Sequence, residues 1–178
     1  MRIRRGRPGD LPTVLALERA CFPPEVAFPA ETVALILAEA TALVAEGGSI
    51  VGFVAGFARG GWGKVLTLEV LPEGRGRGVG RRLMVALEEE LASQGAKAAL
   101  LEVSAENERA VALYAGLGYG KAGLLRGYYG PGRDALLMTR RLKPPDGGSG
   151  SFSPPEGRRS GRAGPSSKPK NISTNRAI

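Results

Sequence analysis

The sequence predicts a mixed α/β domain with elements in the order β-α-α-β-β-β-α-β-α-β-β. Three observations carry this. Short apolar strand patterns alternate with helical ones through residues 1–143. Val79, Leu83, Leu87 and Leu91 recur every four residues, as the buried stripe of an amphipathic helix does. That helix follows a strand through a turn dense in glycine and arginine, Gly74-Arg75-Gly76-Arg77-Gly78-Val79-Gly80.

Taken in order, Arg2–Arg5 forms a short edge strand. Asp10 caps a helix reaching Cys21, with Pro12 in its first turn and Val14, Leu15 and Leu17 on the apolar side. Pro23, Pro24 and Pro29 interrupt the chain before a second helix from Glu31 to Ala40. Thr41–Glu46 and Ser49–Arg59 are strands joined at Gly47-Gly48. Gly60-Gly61-Trp62-Gly63 turns the chain into a third strand, Lys64–Leu71, giving a meander. The helix from Val79 ends near Gly95. Lys97–Val103 is a buried strand, and Asn107–Leu117 a helix with Asn107 at its N-cap. Two final strands, Tyr119–Leu125 and Ala135–Arg141, flank a loop holding Tyr128 and Tyr129.

Composition narrows the chemistry. With 178 residues, 43% of them hydrophobic, the chain has enough for one domain with a core. It contains no apolar run long enough to span a membrane and no signal-like segment. A single cysteine, Cys21, excludes an internal disulfide framework, and these features point to a soluble, cytoplasmic protein. From Pro144 the sequence becomes rich in Pro, Gly and Ser, which predicts a domain over 1–143 and a disordered basic tail over 144–178. The tail carries six Lys/Arg and two Asp/Glu, half of the net charge of +8. The body is only mildly basic, so its composition does not argue for a nucleic-acid partner; tail contact with RNA through Arg158, Arg159, Arg162, Lys168 and Lys170 is the minor alternative. The absence of histidine excludes Ser-His-Asp and Cys-His nucleophile systems, and one cysteine cannot assemble a Cys/His zinc site, so no metal is expected. Proton transfer must use a carboxylate, a tyrosine, a lysine, the cysteine or water.

The turn before Val79 suits an anion. Glycines let successive N–H groups converge without side chains in the way, and the helix start adds its own unpaired donors and dipole. Arg75, Arg77 and Arg81 add full charges that can grip phosphate oxygens. The Walker ending Gly-Lys-Ser/Thr is missing. The dinucleotide pattern G-x-G-x-x-G fails from Gly74, where Val79 takes the last place, and from Gly76, where Arg81 does. A solvated glycine-rich turn is the plain alternative.

Arg75-Gly76-Arg77-Gly78-Val79-Gly80 satisfies the Arg/Gln-x-x-Gly-x-Gly/Ala motif, and the chain here resembles the GNAT acyltransferase superfamily. By element order the resemblance covers residues 1–142, most specifically Leu68–Asp134. It implies a mostly antiparallel central sheet flanked by helices. It also implies acetyl-CoA as co-substrate, held by Leu68, Glu69, Val70, Arg75, Gly76, Arg77, Gly78, Val79, Gly80, Arg81 and Asn107.

A second set of residues is similar to the RimI branch, which acetylates protein N-termini: Leu101-Glu102-Val103, Asn107, Ala110, Leu113-Tyr114, Gly118-Tyr119, Tyr128-Tyr129 and Asp134–Met138. That resemblance implies Glu102 as the base and Tyr114 as the acid, with Tyr128 and Tyr129 lining the peptide side. It also implies a protein N-terminus as acceptor, with a ribosomal protein beginning in Ala as the usual one. Chemistry permits these roles. An apolar strand mouth raises a carboxyl toward the working range, and a phenol can protonate the departing thiolate. Read alone, Glu102 is also compatible with an outward-facing strand residue and Tyr114 with a half-buried helix residue. Phe22–Pro29 lacks the Trp usual in the branch, and Glu69 stands where a small residue is usual. The acceptor therefore stays open between a peptide and a small amine or antibiotic, and a non-catalytic acyl-CoA-binding module is the non-enzymatic alternative.

Overall fold

The computed structural model describes residues 1–24, 26–144 and 176–177. The order is β1 (Arg2–Arg5), α1 (Leu11–Cys21), α2 (Ala30–Glu39), β2 (Thr41–Glu46), β3 (Ile50–Arg59), β4 (Trp62–Val70), α3 (Val79–Ser93), β5 (Ala98–Ser104), α4 (Glu108–Gly116), β6 (Gly120–Leu125) and β7 (Ala135–Arg141). The strands lie in the order β1-β2-β3-β4-β5-β7-β6. The β4–β5 pair is parallel and the other neighbours on this path are antiparallel, which meets the expectation of a mostly antiparallel α/β sheet. Parallel neighbours need a crossover, and α3 supplies it.

Each face of the sheet has its own core. On one, Leu83, Leu87 and Leu91 of α3 pack with Val54, Val65, Leu68, Leu101, Val103 and Tyr114. On the other, Val14 and Leu17 of α1 and Val33, Ile36 and Leu37 of α2 pack with Phe53, Ala55 and Leu66. The four-residue spacing of the α3 leucines is thus a buried stripe. Full burial of each such side chain contributes about 1.5–3 kcal/mol.

Several boundaries move. Trp62 and Gly63 belong to β4 rather than to the turn, with Arg59 paired to Trp62. Gly60 and Gly61 both have positive φ (58° and 79°), so two residues close the hairpin. Asp10 precedes α1 but does not cap it with its side chain. Its carboxylate instead accepts from Arg4 Nη1 at 2.7 Å, Arg4 Nη2 at 3.0 Å and the Arg7 amide at 2.8 Å, tying β1 to the start of α1. Arg4, through its hydrogen bonds, holds the Asp10 carboxyl below the usual carboxylate range.

One irregularity positions the site. β3 and β4 shift register between Ala55–Thr67 and Gly56–Val65, so Leu66 is an extra residue in β4. A Cβ on Gly56 would lie 2.6 Å from the Lys64 carbonyl, so only glycine permits this approach. β4 and β5 pair only through Trp62–Ala98, Gly63–Ala99 and Lys64–Leu100. The bulge follows directly, and its added twist accompanies the parting of the two strands. A short strand, β8 (Arg176–Ala177), pairs with β4 at Thr67 and Leu68 on that stretch. The remainder of the tail from Pro145 on, to which disorder and RNA contact were assigned, lies outside the described residues. Among the described residues no helix is long and apolar enough to cross a membrane.

Candidate active site

The glycine-rich turn sits where β4 enters α3. Gly78 occupies the N-cap of α3 at φ 74°, and Gly76 has φ 72°, a region that side-chain-bearing residues avoid. Gly78 offers no side-chain cap, so the first amides of α3 keep their donors for another partner. Gly80 serves differently: a Cβ there would come 3.4 Å from Leu113 Cδ2 and 3.7 Å from Leu68 Cδ2. Its absence lets α3 seat closely on β4 and α4.

A cavity of about 240 Å³ opens over this turn, lined by Val70, Gly74, Arg75, Gly76, Gly78, Val79, Gly80, Arg81, Arg109 and Leu113. The arginines divide their work. Arg75 Nε donates to the Val70 carbonyl at 2.9 Å, bracing the turn from within. Arg81 Nη1 donates to the Gly116 carbonyl at 3.0 Å, joining α3 to the end of α4. Arg77 is exposed on the turn and does not line the cavity. Arg109 does line it, a residue the sequence reading missed; its place in the first turn after the Asn107 cap was the available signal. Asn107 Oδ1 accepts from the Ala110 amide at 3.1 Å, as a cap should.

The strand residues expected beside the turn separate by face. Leu68 and Val70 face the α3 core. The Glu69 side chain is fully buried, and its Oε1 accepts from the Thr67 hydroxyl at 3.0 Å. Alternation turns it toward α1, away from the cradle, so any donor contact at position 69 falls to the backbone. Cys21, at the end of α1, points its thiol at the Val70 carbonyl, 3.7 Å away. Burial, with the Glu69 charge adding to it, pushes that thiol up to about 11, which does not suit a nucleophile.

Glu102 and Tyr114 lie on opposite faces of the sheet. Leu101 and Val103 pack in the α3-side core with Tyr114, so Glu102 between them turns to the other face. Val65 packs on the α3 side as well, which puts Lys64 on the face of Glu102. There Lys64 Nζ donates to Glu102 Oε2 across the strands as they part, with side chains only 12% and 10% exposed. The sequence offers Glu102 as a base or as an outward-facing strand residue and names no partner for it. Its lysine partner depends on the parallel β4–β5 register and left no local signal.

Tyr114 is fully buried, and its hydroxyl has no hydrogen-bond partner among the described residues. An orphaned buried phenol is costly unless another group arrives to accept from it. Burial chiefly, with Tyr129 adding to it, drives its pKa upward and keeps it a proton donor. Tyr119 stacks on it edge to face at 5.7 Å.

The β6–β7 loop borders the same end of β5, where the Ala105 amide donates to the Asp134 carbonyl at 3.0 Å. Asp134 Oδ1 also accepts from the Gly127 amide at 2.8 Å, closing the loop on itself. Tyr128 and Tyr129 are half-buried there, rings edge to face at 5.0 Å. An anion cradle, a parted strand pair, a carboxylate on one face and a phenol on the other suit transfer of a group from a phosphorylated carrier through the sheet. Among the described residues there is no cluster of His, Cys, Asp and Glu able to hold a metal ion.

Comparison with known proteins follows the same lines. Residues 11–119 match the acetyltransferase (GNAT) family. The chain is 41% identical over 101 residues to the N-alpha-acetyltransferase RimI of Mycobacterium tuberculosis, covering 53% of this chain and 61% of that protein. It is 30% identical over 155 residues to an N-alpha-acetyltransferase of Sulfurisphaera tokodaii, covering 79% and 93%. The structure of the ribosomal-protein-S18-alanine N-acetyltransferase of Escherichia coli superposes with a TM-score of 0.73 at 25% identity, covering 85% of this chain and 99% of that one. The chain spans about half the length of several curated relatives it matches.

Proposed function

The chain belongs to the acetyltransferase (GNAT) family, and we propose that it moves the acetyl group of acetyl-CoA onto the α-amino group of a protein N-terminus. The observation that carries this reading is the parted β4–β5 pair, with the glycine cradle where β4 enters α3, Glu102 on one face of the sheet and Tyr114 in the core of the other. In this reading the pyrophosphate rests on the amides of the turn and the α3 N-terminus, with Arg81 and Arg109 nearby. The thioester arm runs along β4 into the opening, taking the place of β8 at Thr67 and Leu68, and main-chain donors near Val70 hold the carbonyl oxygen as charge develops on it.

The acceptor enters from the face of Glu102. Its ammonium gives a proton to the Glu102 carboxylate, directly or through one water. The freed nitrogen attacks the thioester carbon, the C–S bond breaks, and the nitrogen's second proton leaves as the amide forms and restores the proton that Tyr114 gives up. Tyr114, protonated and without a hydrogen-bond partner among the described residues, donates to the departing thiolate. Tyr128 and Tyr129 form the wall along which an extended peptide lies. Two features support an N-terminal amine over a small amine: this aromatic loop, and the names of the compared proteins, two N-alpha-acetyltransferases and a ribosomal-protein-S18-alanine N-acetyltransferase. A ribosomal protein beginning in Ala is one such acceptor, named for the Escherichia coli protein. The donor and the free Cys21 thiol fit a cytoplasmic site of action.

The test is transfer from labelled acetyl-CoA to a panel of peptides differing in their first residue, run beside small amines. Label on peptide α-amines supports the reading. Label confined to small amines overturns the acceptor assignment.

A further inference from the structure

We propose that the protein also acetylates itself, on Nζ of Lys64. The inference rests on the reading of Glu102 as base, and it follows from where one lysine stands. Lys64 is the last β4 residue paired with β5 before the strands part. Its Nζ donates to Glu102 Oε2, the relationship that the reading requires of an acceptor amine. Among the described residues the other lysines, Lys97, Lys121 and Lys143, are exposed on the surface.

Stability does not account for the placement. A lysine and a glutamate with side chains 12% and 10% exposed lose much of their hydration. Apolar residues of similar volume are often as stable or more so. The pair does hold a nucleophile and a base together at the mouth of the opening, on the face from which the acceptor enters.

The step balances without an outside reagent. Lys64 passes one proton to the Glu102 carboxylate, and its lone pair adds to the thioester carbon. A C–N bond forms and the C–S bond breaks. The nitrogen's second proton leaves as the amide forms, the sulfur departs as a thiol, and Glu102 later releases its proton to water. The product is N-acetyl-Lys64 and free CoA. The acetylated side chain carries no charge and fills the space an acceptor amine must enter, so each event slows transfer to peptide by that molecule.

The experiment uses the full chain and isotope-labelled acetyl-CoA without peptide, followed by proteolysis and site-resolved mass spectrometry. Acetyl on Lys64, labelled or already present, is expected to exceed that on Lys97 and Lys121 by roughly tenfold or more, as held proximity favours an internal amine. The rate per molecule should not change with protein concentration. Glu102→Gln should suppress the Lys64 signal without lowering the signal at Lys121. Lys64→Arg removes the site, and its melting curve checks that the fold survives. Lys64 acetylation no greater than at the exposed lysines, or unchanged in Glu102→Gln, overturns the proposal. A peptide-panel assay on the same preparation separates the two readings. Peptide transfer without Lys64 acetylation overturns self-acetylation alone, and loss of both overturns the peptide-acceptor reading with it.

Discussion

The two sides of the parted strands are built by different means. The donor side is backbone: glycines at positive φ, the open start of α3, and a brace from Arg75 to Val70. In the proposed reading the acceptor's side is made of side chains from distant segments: Lys64 of β4 with Glu102 of β5, and the Tyr128–Tyr129 loop. A common carrier can be held by main chain, because every turn of this shape offers the same amides. The acceptor end needs particular groups, so its chemistry depends on register and packing across the sheet. Changes on the two sides should therefore separate in kinetics: donor affinity on one, turnover on the other.

Glu102→Gln should break the chemical step most severely. Loss of a positioned base lowers turnover by about 10²–10⁴-fold, and the cradle predicts little change in the KM for acetyl-CoA; initial rates at varied donor concentration check both. Tyr114→Phe should lower turnover less, by about 10²-fold, the low end of the range for a lost acid or base. The same change removes a buried hydroxyl with no partner among the described residues, which relieves on the order of 1 kcal/mol in the ligand-free protein. Its melting temperature should then hold or rise while activity falls, a split that a merely structural tyrosine would not give. Gly78→Ala tests the donor side. Nothing lies within 4 Å of the added Cβ, so its cost is φ alone. About 1–2 kcal/mol of backbone strain in the cradle predicts a roughly tenfold higher KM for acetyl-CoA, with turnover at saturation little altered.

Asp10 lies on neither side and serves as the reference. Its folded carboxyl is held below its ordinary value by Arg4. The sign follows: the stabilisation is fully present above the ordinary carboxylate range and is lost as pH falls through the folded value. Asp10→Asn should melt lower than the parent near neutral pH, and the gap should close in acid. Neither KM nor turnover, measured where both proteins are folded, should move.

Legibility in the sequence followed the same division. The cradle was readable because its requirement is local: Gly76 and Gly78 need positive φ, and Arg75–Gly80 is contiguous. The α3 stripe and the Asn107 cap were readable for the same reason. Asp10 misled, because a cap-forming residue before a helix can be claimed by an arginine of the preceding strand instead. Trp62 was placed in a turn because the reach of a two-glycine hairpin depends on the pairing of its strands. Lys64 was invisible because its partner is set by parallel pairing across a helical crossover. Glu69 could be given a strand but not a face, since the bulge at Leu66 resets the alternation.

The central claim is that one opening in the sheet brings acetyl-CoA from the cradle to an amine beside Glu102. Side-by-side assays of wild type and Glu102→Gln with labelled acetyl-CoA and the peptide panel test it most directly, with donor binding measured on both. The account predicts α-amino acetylation of peptides by the wild type, and retained donor binding with turnover nearly abolished in the variant. Equal peptide acetylation by the two proteins, or none by a wild type that binds donor, would contradict it.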